Sequence, residues 1–429
     1  MQPIFPFKVR SWVLDIKFTS LLASLVVSAM SVKTHGLVMA VAIVMLAYWL
    51  YEPLFPEMDN VWTMRSFCAI KKIVGVVGFV SESLGYMSSI NMTRFAMKAF
   101  IQQPVFASVE IVNDNFSGVP VRIFRPIHKD KSSSDELPGL MYFHGGGWVN
   151  LDIDVYHSLT ARIANKTGFV VVSVDYHRAP ENKFPIPFED CLTATVHLLR
   201  NGKDYGVDVT EIAVSGDSAG GNLAAAVSLR LAVETGLPTL KAQVLIYPAL
   251  QAFDFRTPSM LTRNVPEFLT QEIMIRYWLL YYQGHTDNIE KFRSNNHTSA
   301  LLKASEYGDA VDHSLLPEEF RKQLTEKPRK NFGDEKLSDA FEPTLLNPYF
   351  CPLLAQRLDK LPPTFMITAE YDVLRDDGFM YAKRLEQAGV TVEHKHFENS
   401  FHGFISLEET DGQKMFLDEL SKFLHETIL

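Results

Sequence analysis

One stretch, Gly216-Asp217-Ser218-Ala219-Gly220, constrains the fold more than any other part of the chain. An apolar strand pattern at 211–215 precedes it, and an apolar helical pattern from 220 to about 234 follows it. In a Gly-x-Ser-x-Gly turn the flanking positions tolerate almost no side chain, which explains the two glycines. Such a turn raises the Ser218 hydroxyl above a sheet edge and directs a helix N-terminus at it. A small-residue turn that serves only close packing is the alternative interpretation.

A second glycine-rich run, His144-Gly145-Gly146-Gly147-Trp148, follows a short apolar strand pattern at 140–143. Consecutive glycines let backbone N–H groups approach a substrate oxygen, because no Cβ atom stands in the way. The N–H of Ala219, beside Ser218, supplies a further donor. We therefore predict that this run, together with Ala219, supplies the donors of an oxyanion site; a loose glycine turn is the alternative.

A serine nucleophile also needs a base and an acid that orients the base. Asp372 is the first aspartate after the strand pattern at 364–368 and is our candidate acid, with Glu370 as the weaker rival. His402, in the loop after the strand pattern at 391–397, is the candidate base. The sequence thus predicts that Ser218, Asp372 and His402 meet at one edge of a sheet.

Other acidic and histidine side chains near these positions receive structural interpretations. Asp376 and Asp377 are predicted to cap the helix at 378–388, where carboxylates accept free backbone N–H groups. His394 and His396 lie within a strand pattern and are predicted to be surface or packing residues.

Strand and helix patterns alternate over 106–429, which predicts an α/β fold with a mostly parallel central sheet flanked by helices. The alternation breaks at about 252–346, where an aromatic helix at 276–282 and a charged segment occur. An insertion this long favours a lid over a linker. The amphipathic helical pattern at 52–105 is predicted to be a helical cap segment.

The first 51 residues are the apolar end of the chain. The uncharged run at 34–51 is just long enough to cross a bilayer, and Lys8, Arg10, Lys17 and Lys33 precede it. We therefore predict a signal anchor at 34–51. Residues 1–33 would lie in the cytosol, and the chain after the anchor would lie on the opposite side of the membrane. Two alternatives remain: the apolar stretch at 18–32 could be a cleaved signal peptide, or both stretches could span.

Four Asn-x-Ser/Thr sequons favour the placement outside the cytosol, and their acceptors are candidate glycosylation sites: Asn91, Asn115, Asn165 and Asn296. A net charge of −9 without a Lys/Arg-rich block argues against a nucleic-acid partner. The three cysteines are too few for a disulfide framework and lack metal-ligand spacing. We expect no metal and no cofactor.

Taken together, these motifs resemble the hormone-sensitive-lipase-like α/β-hydrolases. The resemblance includes His-Gly-Gly-Gly-Trp, Gly-Asp-Ser-Ala-Gly-Gly-Asn, Tyr371-Asp372-x-Leu-Arg-Asp-Asp and His402-Gly-Phe, and covers the chain from about 53 onward. Leu245-Ile246-Tyr247-Pro248 and Asn347-Pro348-Tyr349 resemble the arylacetamide deacetylase group within that family. The resemblance implies an α/β-hydrolase fold and a type II serine esterase of the endoplasmic reticulum membrane. It also implies a Ser218–Asp372–His402 triad and a lid built from the N-terminal helices and the insertion. The oxyanion site that it implies consists of His144, Gly145, Gly146 and Ala219.

Two departures from the group's pattern stand out. The family's Tyr-Arg-Leu-Ala-Pro-Glu is here Tyr176-His177-Arg178-Ala179-Pro180-Glu181, a change expected to affect stability more than chemistry. Val149 and Ala369 occupy the places of two cysteines in arylacetamide deacetylase, which indicates a paralogue whose substrates need not match.

The leading hypothesis is a membrane-anchored serine hydrolase that cleaves carboxylic esters, with acetylamides and lipid esters as further candidates. An α/β-hydrolase fold used only to bind a ligand is the main alternative, although such proteins usually lack the serine or the histidine. A membrane scaffold with the aromatic insertion as its docking surface is a third hypothesis, supported only by hydrophobicity.

Overall fold

The structure is a computed structural model that describes residues 34–99, 103–127, 136–324 and 332–429. The chain begins with three helices, α1 (Thr34–Leu50), α2 (Val61–Ser83) and α3 (Ser89–Ala99). Among the described residues, no helix is both long and apolar enough to cross a membrane. The stretch predicted as an anchor, 34–51, largely forms α1, which has 17 residues. The alternative apolar stretch, 18–32, lies outside the described residues.

The described part of the chain contains one sheet of eight strands: β1 (Val109–Phe116), β2 (Val119–Pro126), β3 (Leu137–Phe143), β4 (Val170–Val174), β5 (Val207–Asp217), β6 (Ala242–Ile246), β7 (Thr364–Tyr371) and β8 (Val392–Phe401). Their order is β1-β2-β4-β3-β5-β6-β7-β8. The pairs β1–β2 and β2–β4 are antiparallel, and every other pair is parallel. The mostly parallel α/β sheet is thus confirmed.

Five helices cover the two faces of the sheet: α4 (His157–Thr167), α5 (Ile186–Asn201), α6 (Ala219–Leu231), α14 (Arg375–Gln387) and α15 (Asp411–Ile428). Successive residues of a strand point to opposite faces. In β3, Met141 and Phe143 belong to the core that includes residues of α5, α6 and α14. Leu140 and Tyr142 belong to the core that includes residues of α4 and α15. β4 is buried along its whole length, and four of its five residues are valines, as is typical of a strand covered on both faces.

Short helices occupy the interval between β6 and β7: α7 (Pro258–Thr262), α8 (Gln271–Gln283), α9 (Ile289–Arg293), α10 (Ala300–Lys303), α11 (Glu306–Ala310), α12 (Glu318–Arg321) and α13 (Glu335–Leu345). Short 3₁₀ helices lie at Gly202–Tyr205, His313–Leu315, Pro352–Leu354 and Phe404–Ser406. The aromatic helix predicted at 276–282 is α8. Thr270 caps its first turn by accepting a hydrogen bond from the Ile273 N–H, and Gly284, at φ 84°, ends it.

The strands β3, β5, β7 and β8 are parallel to one another, so their carboxyl ends lie at one edge of the sheet. The loops that follow them carry His144, Ser218, Asp372 and His402. In an open α/β sheet this edge is where ligands bind. The fold therefore assembles the candidate site from four loops that are distant in sequence.

Candidate active site

Ser218 lies between the last residue of β5 and the first residue of α6, with φ 57° and ψ −120°. This backbone conformation is rare for a residue with a side chain and typical of strained functional positions. A Cβ atom at Gly216 would overlap the Gly220 carbonyl, and one at Gly220 would overlap the Phe143 carbonyl. The turn can therefore close only with glycine at both positions, as the sequence predicted.

A continuous hydrogen-bond relay joins the three predicted triad residues. His402 Nε2 lies 2.9 Å from Ser218 Oγ, and His402 Nδ1 lies 2.8 Å from Asp372 Oδ2. Because a carboxylate only accepts, Nδ1 carries the imidazole proton, and the Nε2 lone pair faces the serine hydroxyl. The second oxygen of Asp372 accepts the Leu374 N–H at 2.8 Å, which fixes the carboxylate. The geometry suits removal of the Ser218 proton by His402.

The rival acid, Glu370, is engaged elsewhere. Its oxygens bind Arg263 at 2.6 Å, Arg375 at 2.9 Å and His396 at 3.3 Å. Burial raises the pKa of Glu370, but the hydrogen bond with His396 and the charges of Arg375 and Arg263 outweigh it and lower the pKa to about 2. Glu370 is thus a structural anion.

The capping interpretation of Asp376 and Asp377 is wrong. Both are buried inside the first turn of α14, which begins at Arg375. Asp376 accepts the Ser259 N–H at 2.7 Å, and Asp377 accepts the Leu250 N–H at 3.0 Å. Their carboxylates therefore tie α14 to the chain after β6, because that segment's free N–H groups face them.

The oxyanion prediction needs a correction at Gly145. Its N–H already has two acceptors, since it donates to Asp217 Oδ1 at 3.0 Å and to the Tyr156 hydroxyl at 3.1 Å. The N–H groups of Gly146 and Gly147, in contrast, have no partner within the described ranges. Ala219 is the first residue of α6, so its N–H has no partner inside the helix. The donors that remain for an oxyanion are Gly146, Gly147 and Ala219.

His144 also needs a correction. Its side chain is fully buried, stacks on Tyr176 with ring centres 4.2 Å apart, and bonds the Gly145 carbonyl through Nδ1 at 2.8 Å. Burial lowers the pKa of His144 to about 4, so the imidazole is neutral at pH 7. The His144 side chain is therefore engaged by Tyr176 and by the glycine loop itself, and its role is to support that loop.

Asp217 is a residue that the sequence analysis did not single out. Its buried carboxylate accepts hydrogen bonds from the Tyr142 hydroxyl at 2.9 Å, the Tyr156 hydroxyl at 2.8 Å and the Gly145 N–H. Burial raises the pKa of Asp217, and the tyrosine hydrogen bonds oppose that rise. Asp217 thus links the nucleophile turn to the glycine loop. The signal available in the sequence was an aspartate inside an otherwise small and apolar motif.

The strand histidines match their interpretation as packing residues. His394 and His396 are half-buried on β8, and each bonds the Thr368 hydroxyl at 2.9 Å.

The four predicted glycosylation acceptors differ in exposure. Asn91, Asn115 and Asn165 are exposed, and Asn115 lies next to the β1–β2 turn. Asn296 is half-buried, and the threonine of its sequon, Thr298, is fully buried. Asn296 is therefore the least suitable acceptor in the folded chain.

Comparisons with known proteins agree with this architecture. A family model described as the alpha/beta hydrolase fold matches residues 140–311 and 317–406. Neutral cholesterol ester hydrolase 1 of Mus musculus is 36% identical over 386 residues, which cover 86% of this chain and 93% of that protein. Arylacetamide deacetylase of Rattus norvegicus is 36% identical over 379 residues, with the same two coverages.

Solved structures with the same fold include carboxylic ester hydrolases. The esterase of Pyrobaculum calidifontis is 27% identical, covers 88% of this chain and 100% of its own, and has a TM-score of 0.60. The metagenomic carboxylesterase EstE1 is 29% identical, covers 79% and 95%, and has a TM-score of 0.57. With its sheet order and its relatives in agreement, this hydrolase of ester bonds belongs to the hormone-sensitive-lipase-like family of α/β-hydrolases.

Proposed function

We propose that the chain is a serine carboxylesterase that cleaves its substrates through an acyl-serine intermediate. The hydrogen-bond relay from Asp372 through His402 to Ser218 supports this proposal more than any other observation. All three residues are at least nine-tenths buried, so the relay is largely shielded from water. A charge that develops inside such a site is stabilised more strongly than in solution.

In the proposed reaction, His402 removes the Ser218 proton while Oγ attacks the ester carbonyl carbon. The tetrahedral oxyanion accepts hydrogen bonds from the N–H groups of Gly146, Gly147 and Ala219, at the N-terminus of α6. The intermediate collapses, and the alcohol leaves with the proton held by His402. Water then attacks the acyl-serine with His402 again as base, while Asp372 holds the imidazole tautomer.

The proposed substrates are carboxylic esters with an apolar group near the carbonyl. Phe268 is half-buried beside the His402 ring, with ring centres 6.4 Å apart, and Tyr277 is half-buried over Gly147. These aromatic faces disfavour a charged substituent, because its desolvation would not be compensated. The names of the two relatives indicate lipid esters and acetylamides as the next substrate classes to measure.

A helical cap over the catalytic domain is part of the proposal, with the cap segments at 52–105 and 252–346 and the catalytic domain at 106–429. Arg94 of α3 donates to the Val149 carbonyl at 2.8 Å, beside the glycine loop. Lys71 of α2 donates to the Phe268 carbonyl at 3.2 Å, beside the base. Both contacts support a cap that controls access to the catalytic groups.

We further propose that the N-terminal region, 1–51, attaches the chain to the endoplasmic reticulum membrane, with the catalytic domain in the lumen. The uncharged, apolar sequence of α1 and the exposed sequons support this placement. Carbonate extraction of the full chain tests attachment, and a gel shift with endoglycosidase, compared between wild type and Asn115→Gln, tests the lumenal side. Release by carbonate together with no shift would reject both parts.

The decisive experiment compares Ser218→Ala with Ser314→Ala, an exposed serine of a 3₁₀ turn, on p-nitrophenyl acetate and butyrate. Loss of the nucleophile should reduce kcat by several orders of magnitude, about 10⁶-fold at the limit known for serine hydrolases, and the control should match wild type. A fluorophosphonate probe should label wild type at Ser218 and leave Ser218→Ala unlabelled. A wild-type protein that neither turns over esters nor reacts with the probe would instead be a ligand-binding protein.

A further inference from the structure

The glycine loop is held in a conformation that it would not keep by itself. Trp148 has φ 58° and Leu151 has φ 62°, and neither is a glycine. A residue with a side chain in this region costs about 1–3 kcal/mol and persists only where its surroundings impose it. The conformation of the loop therefore depends on what packs against it.

Helix α8 supplies one of these contacts through Tyr277. A Cβ atom at Gly147 would overlap the Tyr277 ring, so the ring lies directly on the backbone of that glycine. The Tyr277 hydroxyl accepts a hydrogen bond from Asn150 Nδ2 at 3.0 Å. Burial raises the pKa of Tyr277, so its hydroxyl stays neutral at working pH. One side chain thus contacts the loop at two points, three residues apart.

The same helix also fixes the indole of Trp148. Tyr281 stacks on it with ring centres 4.5 Å apart and planes 3° apart, and Trp278 lies 4.5 Å away on centres. Trp148, Trp278 and Tyr281 are each at most 1% exposed, so the cluster is rigid. Because Trp148 follows Gly147 directly, α8 holds both the glycine and its neighbour.

We propose that Tyr277 is a positioning residue of the oxyanion site, which keeps the Gly146 and Gly147 N–H groups directed at the substrate oxygen. This inference rests on the proposed esterase function. An oxyanion donor is effective only when its direction is fixed before charge develops. If the ring is removed, the strained loop can relax toward a commoner backbone conformation, and a shift of about 1 Å is enough to cost about 10²-fold in rate. The insertion at 252–346, which contains α8, would then position catalytic groups in addition to forming part of the cap.

The test measures hydrolysis of an oxygen ester and of the matching thionoester, in which the carbonyl oxygen is replaced by sulfur. Donors placed for a small oxyanion stabilise the larger, more weakly accepting sulfur anion poorly, so the ratio of the two kcat/KM values reports on donor placement. In Tyr277→Ala we expect kcat for the oxygen ester to fall about 10–100-fold, and kcat/KM of the oxygen ester divided by kcat/KM of the thionoester to fall about tenfold. Tyr277→Phe keeps the ring and should keep the ratio.

Tyr282→Ala is the matched control, because Tyr282 lies on the same helix but packs against Phe341, with ring centres 4.6 Å apart. All rates are normalised to the fraction of protein labelled by the fluorophosphonate probe, which removes losses from misfolding. After this normalisation, a role in folding alone would leave both rates and their ratio unchanged, and this result would overturn the proposal. A wild type that hydrolyses no ester would instead refute the esterase function, and the inference with it.

A double variant gives a second test of the contact between the Tyr277 ring and the loop. Gly147→Ala places a methyl group against the Tyr277 ring, so we expect at least about 100-fold loss of kcat. Combined with Tyr277→Ala, the same methyl group has room, and the double variant should be more active than the product of the two single losses predicts. Strictly multiplicative losses would show that the ring does not hold the loop.

Discussion

Asp217→Asn is the sharpest test of how the nucleophile turn controls the glycine loop. The native carboxylate faces three donors: the hydroxyls of Tyr142 and Tyr156, and the Gly145 N–H. An asparagine has one acceptor oxygen and one donating amide group. When the asparagine oxygen accepts from the Tyr142 hydroxyl and the Gly145 N–H, its NH₂ group must face the Tyr156 hydroxyl.

The magnitude follows from counting donors. Tyr156 already accepts the Gly145 N–H at 3.1 Å, so with the new amide it would accept twice and its own O–H would have no acceptor. A buried unsatisfied donor costs about 1–3 kcal/mol, and hydrogen bonds to a neutral acceptor are weaker than those to a carboxylate. Removal of a buried charge offsets part of this loss. We expect a net loss of about 1–3 kcal/mol in unfolding free energy and about 10–100-fold in kcat, because Gly145 anchors the loop.

The assay is p-nitrophenyl ester hydrolysis together with urea unfolding of the same preparations. Asp287→Asn is the control, since the Asp287 side chain is 79% exposed and its change should leave both quantities within error. If Asp217→Asn retained wild-type kcat and unfolding free energy, the inference that this carboxylate holds the loop through Gly145 would be wrong.

Three further predictions follow from the same contacts. Asp372→Asn should lower kcat about 10⁴-fold with little change in KM, because His402 Nδ1 would lose the acceptor that fixes the imidazole tautomer. Steady-state kinetics measure this loss, and a loss below about tenfold would reject the role of Asp372. Gly220→Ala should destabilise the fold by at least about 3 kcal/mol through overlap with backbone carbonyls, whereas Gly75→Ala, with open space in α2, should be neutral or stabilising in thermal unfolding. Glu370→Gln should lower the unfolding free energy at pH 7 by about 1–2 kcal/mol. This is less than the full free energy that corresponds to the lowered pKa of about 2, because solvent screens the partly exposed carboxylate. Since that pKa is depressed in the fold, the contribution is present above about pH 4.5 and is lost as the pH falls toward 2, so urea unfolding of the variant should show a flatter pH dependence in that window.

Local sequence patterns were sufficient for the fold class and for the triad candidates. Gly216 and Gly220 could be understood from the turn alone, because a sharp strand-to-helix turn excludes a Cβ whatever surrounds it. The positions of Asp372 and His402 followed from alternation, since parallel strands bring their carboxyl ends to one edge. Both arguments need only the backbone.

Tertiary structure alone decided which donor faces which acceptor. The three glycines at 145–147 are equivalent in sequence. Of their N–H groups, only that of Gly145 donates to Asp217 and Tyr156 and is therefore not free to bind an oxyanion. Glu370 and Asp372 lie two residues apart, and long-range partners such as Arg263 separate their roles. Local periodicity fixes where a backbone turns, but the direction of a hydrogen bond depends on groups that packing brings from distant parts of the chain.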